Sequence, residues 1–346
     1  MAKVLVIRIS SFGDVAMLVP VLFSVASKYP QDRFSVMTRK AFAPLFENLG
    51  FNVNVIPLDV NGRHKGIIGL FRILKRISTQ GFSHVADEHD VLRSKGLRFF
   101  MKMTGRKVAC IDKGKKEKRV MIETKDLSHP LEHTINRYQD VFDRLGFPAQ
   151  MIFNNLFDFV PRDFSQLKSI VSEKRGRWIG IAPFSKHKGK IYPLEKMEKV
   201  IEILSAQEDT TLFLFGSGKE EQKVLSIWSN KYPNVINPIG KLNLNKELLL
   251  MSYLDVMLSM DSANMHLASL VQVPVVSVWG ATHPALGFYG FNQDPENIIQ
   301  IECLDCRPCS VYGELPCQRE DYACMHKITE ESVVNKIQTV LAKVNR

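Results

Sequence analysis

Apolar runs of four to six residues alternate with stretches of helical period along this chain, and the alternation restarts once past the midpoint. Runs that short, without strict in-out alternation, suit strands buried on both faces, and the helical stretches between them suit the crossovers that parallel strands require. No Asn-Gly turn of the hairpin kind joins one run to the next. The pattern predicts an α/β protein made of two doubly wound domains and excludes an all-β or all-α fold. In the first half the strands fall at Val4 to Ile9, Phe34 to Thr38, Val53 to Ile56, Ser83 to Ala86 and Lys107 to Ile111. Helices are expected at Asp14 to Tyr29, Ala41 to Leu49, Lys65 to Ser78, Val91 to Met103 and His133 to Leu145. The character changes over Pro148 to Arg175, where Pro161-Arg162-Asp163 precedes a polar helix. The linker is placed there, giving domains 1–160 and 161–346. In the second half the strands are Trp178 to Ala182, Thr211 to Phe215, Val256 to Met260 and Val275 to Val278. The helices are Leu194 to Ser205, Lys219 to Lys231, Lys246 to Tyr253, Ala263 to Val271 and a last one from Thr329 to Val344. In such domains ligands bind outside the carboxyl ends of the strands, so two facing domains are expected to share a cleft.

Length and composition agree, since 346 residues suffice for two cores and 45 % apolar with 24 % charged residues is a globular balance. The longest nearly apolar stretch, Val15 to Ala26, carries Ser24 and Pro20 and is too short to span a bilayer. Val4 to Ile7 is likewise too short for the apolar region of a signal peptide, so a cytoplasmic protein with reduced cysteines is expected. Lys and Arg outnumber Asp and Glu by 46 to 36, a net charge of +10. Much of the surplus lies between Arg93 and Arg119, either a solvated face or a surface for an anionic partner.

Three strand-to-helix turns are candidates for chemistry. The first is Arg8-Ile9-Ser10-Ser11-Phe12-Gly13-Asp14, where small hydroxyls and amides at a helix start suit an anion or a sugar hydroxyl. Asp14 is either the cap of that helix or a catalytic carboxylate at the sheet edge. The turn lacks the GxGxxG of dinucleotide folds. The second, Ala182-Pro183-Phe184-Ser185-Lys186-His187-Lys188-Gly189-Lys190-Ile191-Tyr192-Pro193, gathers three Lys and a His where a phosphate sits, or is a flexible basic loop; it is not a Walker loop. The third is Asp261-Ser262-Ala263-Asn264-Met265-His266, whose free amides and helix dipole suit a diphosphate. His266, one turn in, is either a ligand contact or a structural histidine. Gly216-Ser217-Gly218 permits close backbone approach, and Glu220 and Glu221 after it are candidate acceptors for ribose hydroxyls or exposed helix carboxylates.

No Asp-x-Asp occurs in the chain, so the paired-carboxylate grip on a metal diphosphate is absent. Charge on a leaving group would fall to a helix dipole, Lys and amides. Asp87-Glu88-His89-Asp90 is the one acidic cluster with His, a weak site for a divalent cation or a group facing substrate. Cys303, Cys306, Cys309, Cys317 and Cys324 lie in one segment, 303–324, where four thiols have the spacing for structural zinc or are loop-packing residues.

Taken together the motifs resemble glycosyltransferase family 9, the ADP-heptose:lipopolysaccharide heptosyltransferases. Ser10-Ser11-Phe12-Gly13-Asp14 is similar to the family's Ser-Ser-x-Gly-Asp, and Asp87 with Arg93-Ser94 to its Asp-x5-Arg-Ser. Lys190-Ile191-Tyr192-Pro193 is similar to Lys-x-Trp-Pro, and Asp261-Ser262-Ala263 with His266 to Asp-[Ser/Thr]-Gly-x-x-His. The cysteine segment ending in Cys324-Met325 occurs in some members. The resemblance implies a GT-B fold, two Rossmann-like domains with a cleft, in which the first domain binds acceptor and the second an ADP-sugar. It implies inversion at the anomeric carbon without a catalytic metal, Asp14 as general base and Lys190 on the donor phosphates. Asp261, Ser262, Ala263, Asn264 and His266 would line the diphosphate site, and Ser10 and Ser11 would order the first loop. By their motif positions, Gly13, Arg93, Ser185, Gly216 and Glu221 complete the expected substrate-binding set. Ala263 stands where the family has Gly, and Ala182-Pro183-Phe184-Ser185 replaces its Gly-Ala-Ser lead-in. The implied partners are an ADP-linked sugar and an anionic glycolipid, met through peripheral contact with the inner membrane, and no nucleic acid. Rival readings are a UDP-sugar transferase or epimerase of the same fold and a non-catalytic nucleotide- or membrane-binding protein.

Overall fold

The computed structural model describes residues 1–158 and 160–344, so the last two residues of the second predicted domain lie outside the described residues. The chain divides into two units, residues 1–113 with 132–160 and residues 114–131 with 161–346. Residues 114–131 therefore belong with the second unit, although they precede the last helix of the first.

In chain order the first unit carries β1 (Lys3–Ile7), α1 (Phe12–Lys28), β2 (Arg33–Arg39), β3 (Val53–Leu58), α2 (Gly66–Ser78), β4 (His84–Asp87), α3 (Leu92–Met103) and β5 (Lys107–Cys110). After α4 (Lys115–Thr124), which packs with the second unit, α5 (Thr134–Leu145) completes it. All five strands are parallel, in the order β3-β2-β1-β4-β5. Leu5, Ile7 and Ile56 on one sheet face meet Ile73 and Ile77 of α2 and Leu97 and Met101 of α3. Helices α1 and α5 pack together. Each fully buried Leu or Ile contributes ~1.5–3 kcal/mol, so these small faces suffice to fix the helices. Residues 41–49, expected as a helix, form a 3-10 segment, Lys40–Phe46, that contains Pro44.

The second unit carries β6 (Arg177–Ala182), α6 (Leu194–Ser205), β7 (Thr210–Leu214), α7 (Lys219–Lys231), β8 (Val235–Ile236), α8 (Leu244–Met251), β9 (Val256–Met260) and α9 (Ala263–Leu270). It continues with β10 (Val275–Val278), β11 (Ile298–Ile299), α10 (Ala323–His326) and α11 (Glu330–Val344). Its six parallel strands run β11-β10-β9-β6-β7-β8. Its core joins Ile179, Ile181, Leu212, Leu214 and Leu258 to Met197 and Ile201 of α6 and Ile337 of α11. The polar helix expected after Asp163 is a single 3-10 turn, Phe164–Leu167, because only Leu167 of that turn is buried and no apolar stripe exists to hold a longer helix.

Candidate functional site

In the first unit the chain leaves β1 through Arg8, Ile9 and Ser10 and enters α1 at Ser11, which caps the helix. Three groups converge on one oxygen of Asp14. The Ser11 hydroxyl donates to Oδ2 at 2.6 Å, the Ser11 amide at 3.1 Å, and Arg8 Nη2 pairs with it at 2.6 Å. Oδ1 has no partner among the described residues. Asp14 is thus a cap through one oxygen and an open acceptor through the other, a geometry compatible with both readings of this residue. Its side chain is 29 % exposed while Arg8 is buried. Burial alone would raise the Asp14 carboxyl, but the charge of Arg8 and the Ser11 hydrogen bonds outweigh it and bring it down to about 2.

Arg8 is held in turn from behind. Its Nη1 donates to the Glu88 carbonyl at 2.5 Å, and its guanidinium lies over the Tyr138 ring at 5.7 Å. The Tyr138 hydroxyl donates to the Asp14 carbonyl at 3.1 Å. Ser10 Oγ lies 3.3 Å from His89 Nε2, and burial, followed by the charge of Arg8, lowers His89 to about 3, so its ring is neutral. The Phe12 ring stacks on Phe42 with centroids 4.6 Å apart.

Asp87 closes β4 fully buried, accepting from the amides of His89 and Asp90. The group Asp87, Asp90 and Cys110 is the one with metal-binding proximity among the described residues. Arg98 already fills it: Nη1 reaches Asp87 Oδ2 at 2.9 Å and also the Cys110 thiol, and Nη2 reaches Asp90 at 3.3 Å. A divalent cation there would have to displace a guanidinium. Ser94 acts locally, its hydroxyl accepting from the Val91 amide at the start of α3, where Arg93 is half-buried.

In the second unit the mouths of β6, β9 and β10 lie side by side, an arrangement set by the strand order. Lys190 Nζ pairs with Asp261 Oδ2 at 2.9 Å, and the Thr282 hydroxyl donates to the same oxygen at 2.7 Å. Ser185 Oγ donates to the Asp261 carbonyl at 3.0 Å, tying the Lys-rich loop to the end of β9. The loops after β6 and β10 touch through backbone, Ala281 N to Gly189 O at 2.8 Å. A Cβ on Gly280 would stand 2.3 Å from that carbonyl, which is why glycine is required there. Ser262 starts α9 without a side-chain cap bond, its hydroxyl instead 3.3 Å from Ser259 Oγ. Ala263 and Asn264 in the first turn are half-buried and His266 is buried. That helix start keeps amides and the positive dipole end for an anion. At the mouth of β7, Glu221 folds back and accepts from the Ser217 amide at 2.6 Å, while Glu220 pairs with Lys223 on the surface. A Cβ on Gly216 would sit 2.9 Å from that Glu221 oxygen.

The cysteine segment packs beside this mouth. A Cβ on Gly313 would meet the Lys190 stem at 2.7 Å, and Lys188 lies over the Tyr322 ring at 4.8 Å. Among the described residues no three of its sulfurs gather within 4.8 Å. Burial, against the pull of Arg307, pushes the Cys324 thiol up to about 11, so it stays protonated. Buried Arg307 also holds the segment, donating to the carbonyls of Gly280, Ile301, Trp279 and Thr282 and to Gln300 Oε1.

Residues 70–313, well over half of the chain, match the family model for glycosyltransferase family 9 (heptosyltransferase). The chain belongs to glycosyltransferase family 9. This family 9 enzyme is 22 % identical to the lipopolysaccharide core heptosyltransferase OpsX of Haemophilus influenzae, over 86 % of this chain and 83 % of that one. Among solved structures it is similar to the E. coli ADP-heptose LPS heptosyltransferase II, with TM-score 0.70, 18 % identity and coverage of 99 % and 100 %. It is also similar to a family 9 glycosyltransferase from Veillonella parvula, with TM-score 0.74, 17 % identity and coverage of 99 % and 98 %. The fold is GT-B, with one parallel sheet in each Rossmann-like unit.

The enzyme brings Ser10, Ser11, Gly13 and Asp14 together in one unit and Ser185, Lys190, Asp261, Ser262, Ala263, Asn264 and His266 in the other. Arg8 and Glu88 stand inside stretches singled out in the sequence but were given no role of their own; Thr282 and Arg307 gave no signal.

Proposed function

We propose that this family 9 enzyme moves heptose or a closely related sugar from an ADP-linked donor to a lipopolysaccharide-core or related glycolipid acceptor, inverting the anomeric carbon without a catalytic metal. The observation that carries this reading is the split use of the Asp14 carboxylate, one oxygen clamped by Arg8 and Ser11 and the other open. Oδ1 takes the proton of the acceptor hydroxyl as the acceptor's oxygen bonds to the anomeric carbon and the bond from that carbon to the diphosphate breaks. A carboxylate with so low a proton affinity is a weak base, so the proton moves late, once the attacking hydroxyl has become acidic. The departing ADP carries its charge to Lys190 and to the amides at the start of α9, with Ser262, Ala263, Asn264 and His266 around it. Asp261, buried and already paired, holds Lys190 and Thr282 in place. Ser185, Gly216 and Glu221 shape the donor side. Ser10, Ser11, Gly13 and Arg93 order the acceptor side. The acceptor is met by peripheral contact at the cytoplasmic face of a membrane; among the described residues no helix is long and apolar enough to cross one.

A donor screen by mass-detected nucleotide release tests the reading, run with and without a chelator. ADP release from ADP-heptose, unchanged by the chelator, is expected. Turnover of UDP-sugars in its place, or loss of transfer on chelation by a protein that stays folded, overturns it.

A further inference from the structure

Helices α2 and α3 both pack on the same sheet face, through Ile73, Ile77, Leu97 and Met101, so their opposite sides share one outer surface. Gly96 of α3 fits against Leu70 of α2, with room of only 3.4 Å to the Leu70 Cδ2 from a Cβ there. On α2 the outer stripe is Ile67, Ile68 and Phe71, exposed by 74 %, 68 % and 66 %. On α3 it is Leu92, Phe99 and Met103, exposed by 88 %, 68 % and 73 % and spaced by seven and four residues, one face of a helix. Six large apolar side chains on one face contrast with helices α6 and α7, which expose Ile203 and Ile227 singly.

Charge on this face has one sign. Neither α2 nor α3 contains an Asp or Glu, whereas they carry Arg72, Lys75, Arg76, Arg93, Lys95, Arg98 and Lys102. Arg72, Lys75, Arg76 and Lys102 have no ion-pair partner among the described residues. Past the end of α2, Arg76 joins Lys3 and Arg33 in lining a groove of about 460 Å³. The basic surface foreseen over Arg93 to Arg119 is divided: Arg93, Lys95 and Lys102 lie on α3, while Arg98 turns inward to Asp87, Lys118 is buried, and Lys115 to Arg119 belong to the other unit.

We infer that the outer face of α2 and α3 is a docking surface for an anionic phospholipid bilayer. Aliphatic side chains inserted among acyl chains, with unpaired Lys and Arg at headgroup level, are what such a surface needs. A second copy of the chain fits poorly, because two faces of this one sign would repel. Nucleic acid fits poorly too, because Ile67, Ile68, Leu92 and Met103 offer no ring for stacking. The inference lends purpose to the proposed glycolipid acceptor but is tested without it, so either can fail alone.

The test is flotation of the whole protein with acceptor-free phosphatidylcholine vesicles, with and without about one third phosphatidylglycerol. Binding is expected to the anionic vesicles, weakened by salt, and far weaker to phosphatidylcholine alone. Ile68→Ser/Phe71→Ser/Phe99→Ser is expected to lower it at least ~tenfold and Lys75→Gln/Lys102→Gln ~severalfold, with transfer to a water-soluble acceptor unchanged in both. Failure to float at low salt, or a triple variant that floats like the wild type, overturns the inference. A wild-type dimer that the triple variant converts to monomer, without vesicle binding, assigns the face to self-association and overturns it as well.

Discussion

The two units hold their candidate chemistry with mirrored ion pairs. In the first, the buried member is a cation, Arg8, and the outer member is the carboxylate of Asp14, 29 % exposed. In the second, the more buried member is the carboxylate of Asp261, at 4 %, and the outer member is the ammonium of Lys190, at 12 %. A buried charge needs a partner and fixes the position of whatever supplies it. In the function proposed above the inner group positions and the outer one meets substrate, so the same device would serve as a proton acceptor in one unit and a phosphate-binding cation in the other.

The largest effect that would break this contrast is on Asp14. Asp14→Asn keeps the cap geometry but removes the proton acceptor, and turnover is expected to fall ~10² to 10⁴-fold, measured in single-turnover transfer. Next is Lys190→Ala. Losing one charged contact to the diphosphate, ~1.5–3 kcal/mol, is expected to weaken donor binding roughly tenfold to a hundredfold while turnover at saturating donor changes less.

Arg8→Met sharpens the contrast from behind. Without the guanidinium the Asp14 carboxyl rises from about 2. The wild type, ionised throughout the working range, shows no acid limb from this group; the variant gains one near pH ~4 or above, with a loss of about tenfold at neutral pH from misplacement. A variant profile as flat as the wild type contradicts the clamp. The smallest effect concerns stability. Glu88 is fully buried with neither oxygen partnered among the described residues, and burial raises its carboxyl well above the ordinary value. The folded chain then keeps a proton that the unfolded chain gives up, so stability falls as pH rises through that window. Glu88→Gln is expected to raise Tm by ~2–4 °C near pH ~8 and by less near pH ~5. An equal shift at both values contradicts it.

Much of the fold was legible because parallel strands such as Val256–Met260 and helices such as Leu194–Ser205 write their burial into local periodicity. The two-residue strands Val235–Ile236 and Ile298–Ile299 are too short to show a period, and α4 looked like a charge run because only Lys118 and Met121 of it are buried. The site motifs stood out because each follows a strand end. Their second layer did not, since Arg8 reaches Asp14 within one turn but Thr282 reaches Asp261 across 21 residues. The contacts of the cysteine segment were hidden for a similar reason: Arg307, one residue in its midst, reaches acceptors up to 28 positions away.

The division of roles is tested most directly by calorimetric binding of ADP to the wild type, Asp14→Asn and Lys190→Ala side by side. Asp14→Asn is expected to bind within a few-fold of the wild type and Lys190→Ala at least ~tenfold more weakly. Equal losses in the two variants, or full affinity in Lys190→Ala, would contradict it.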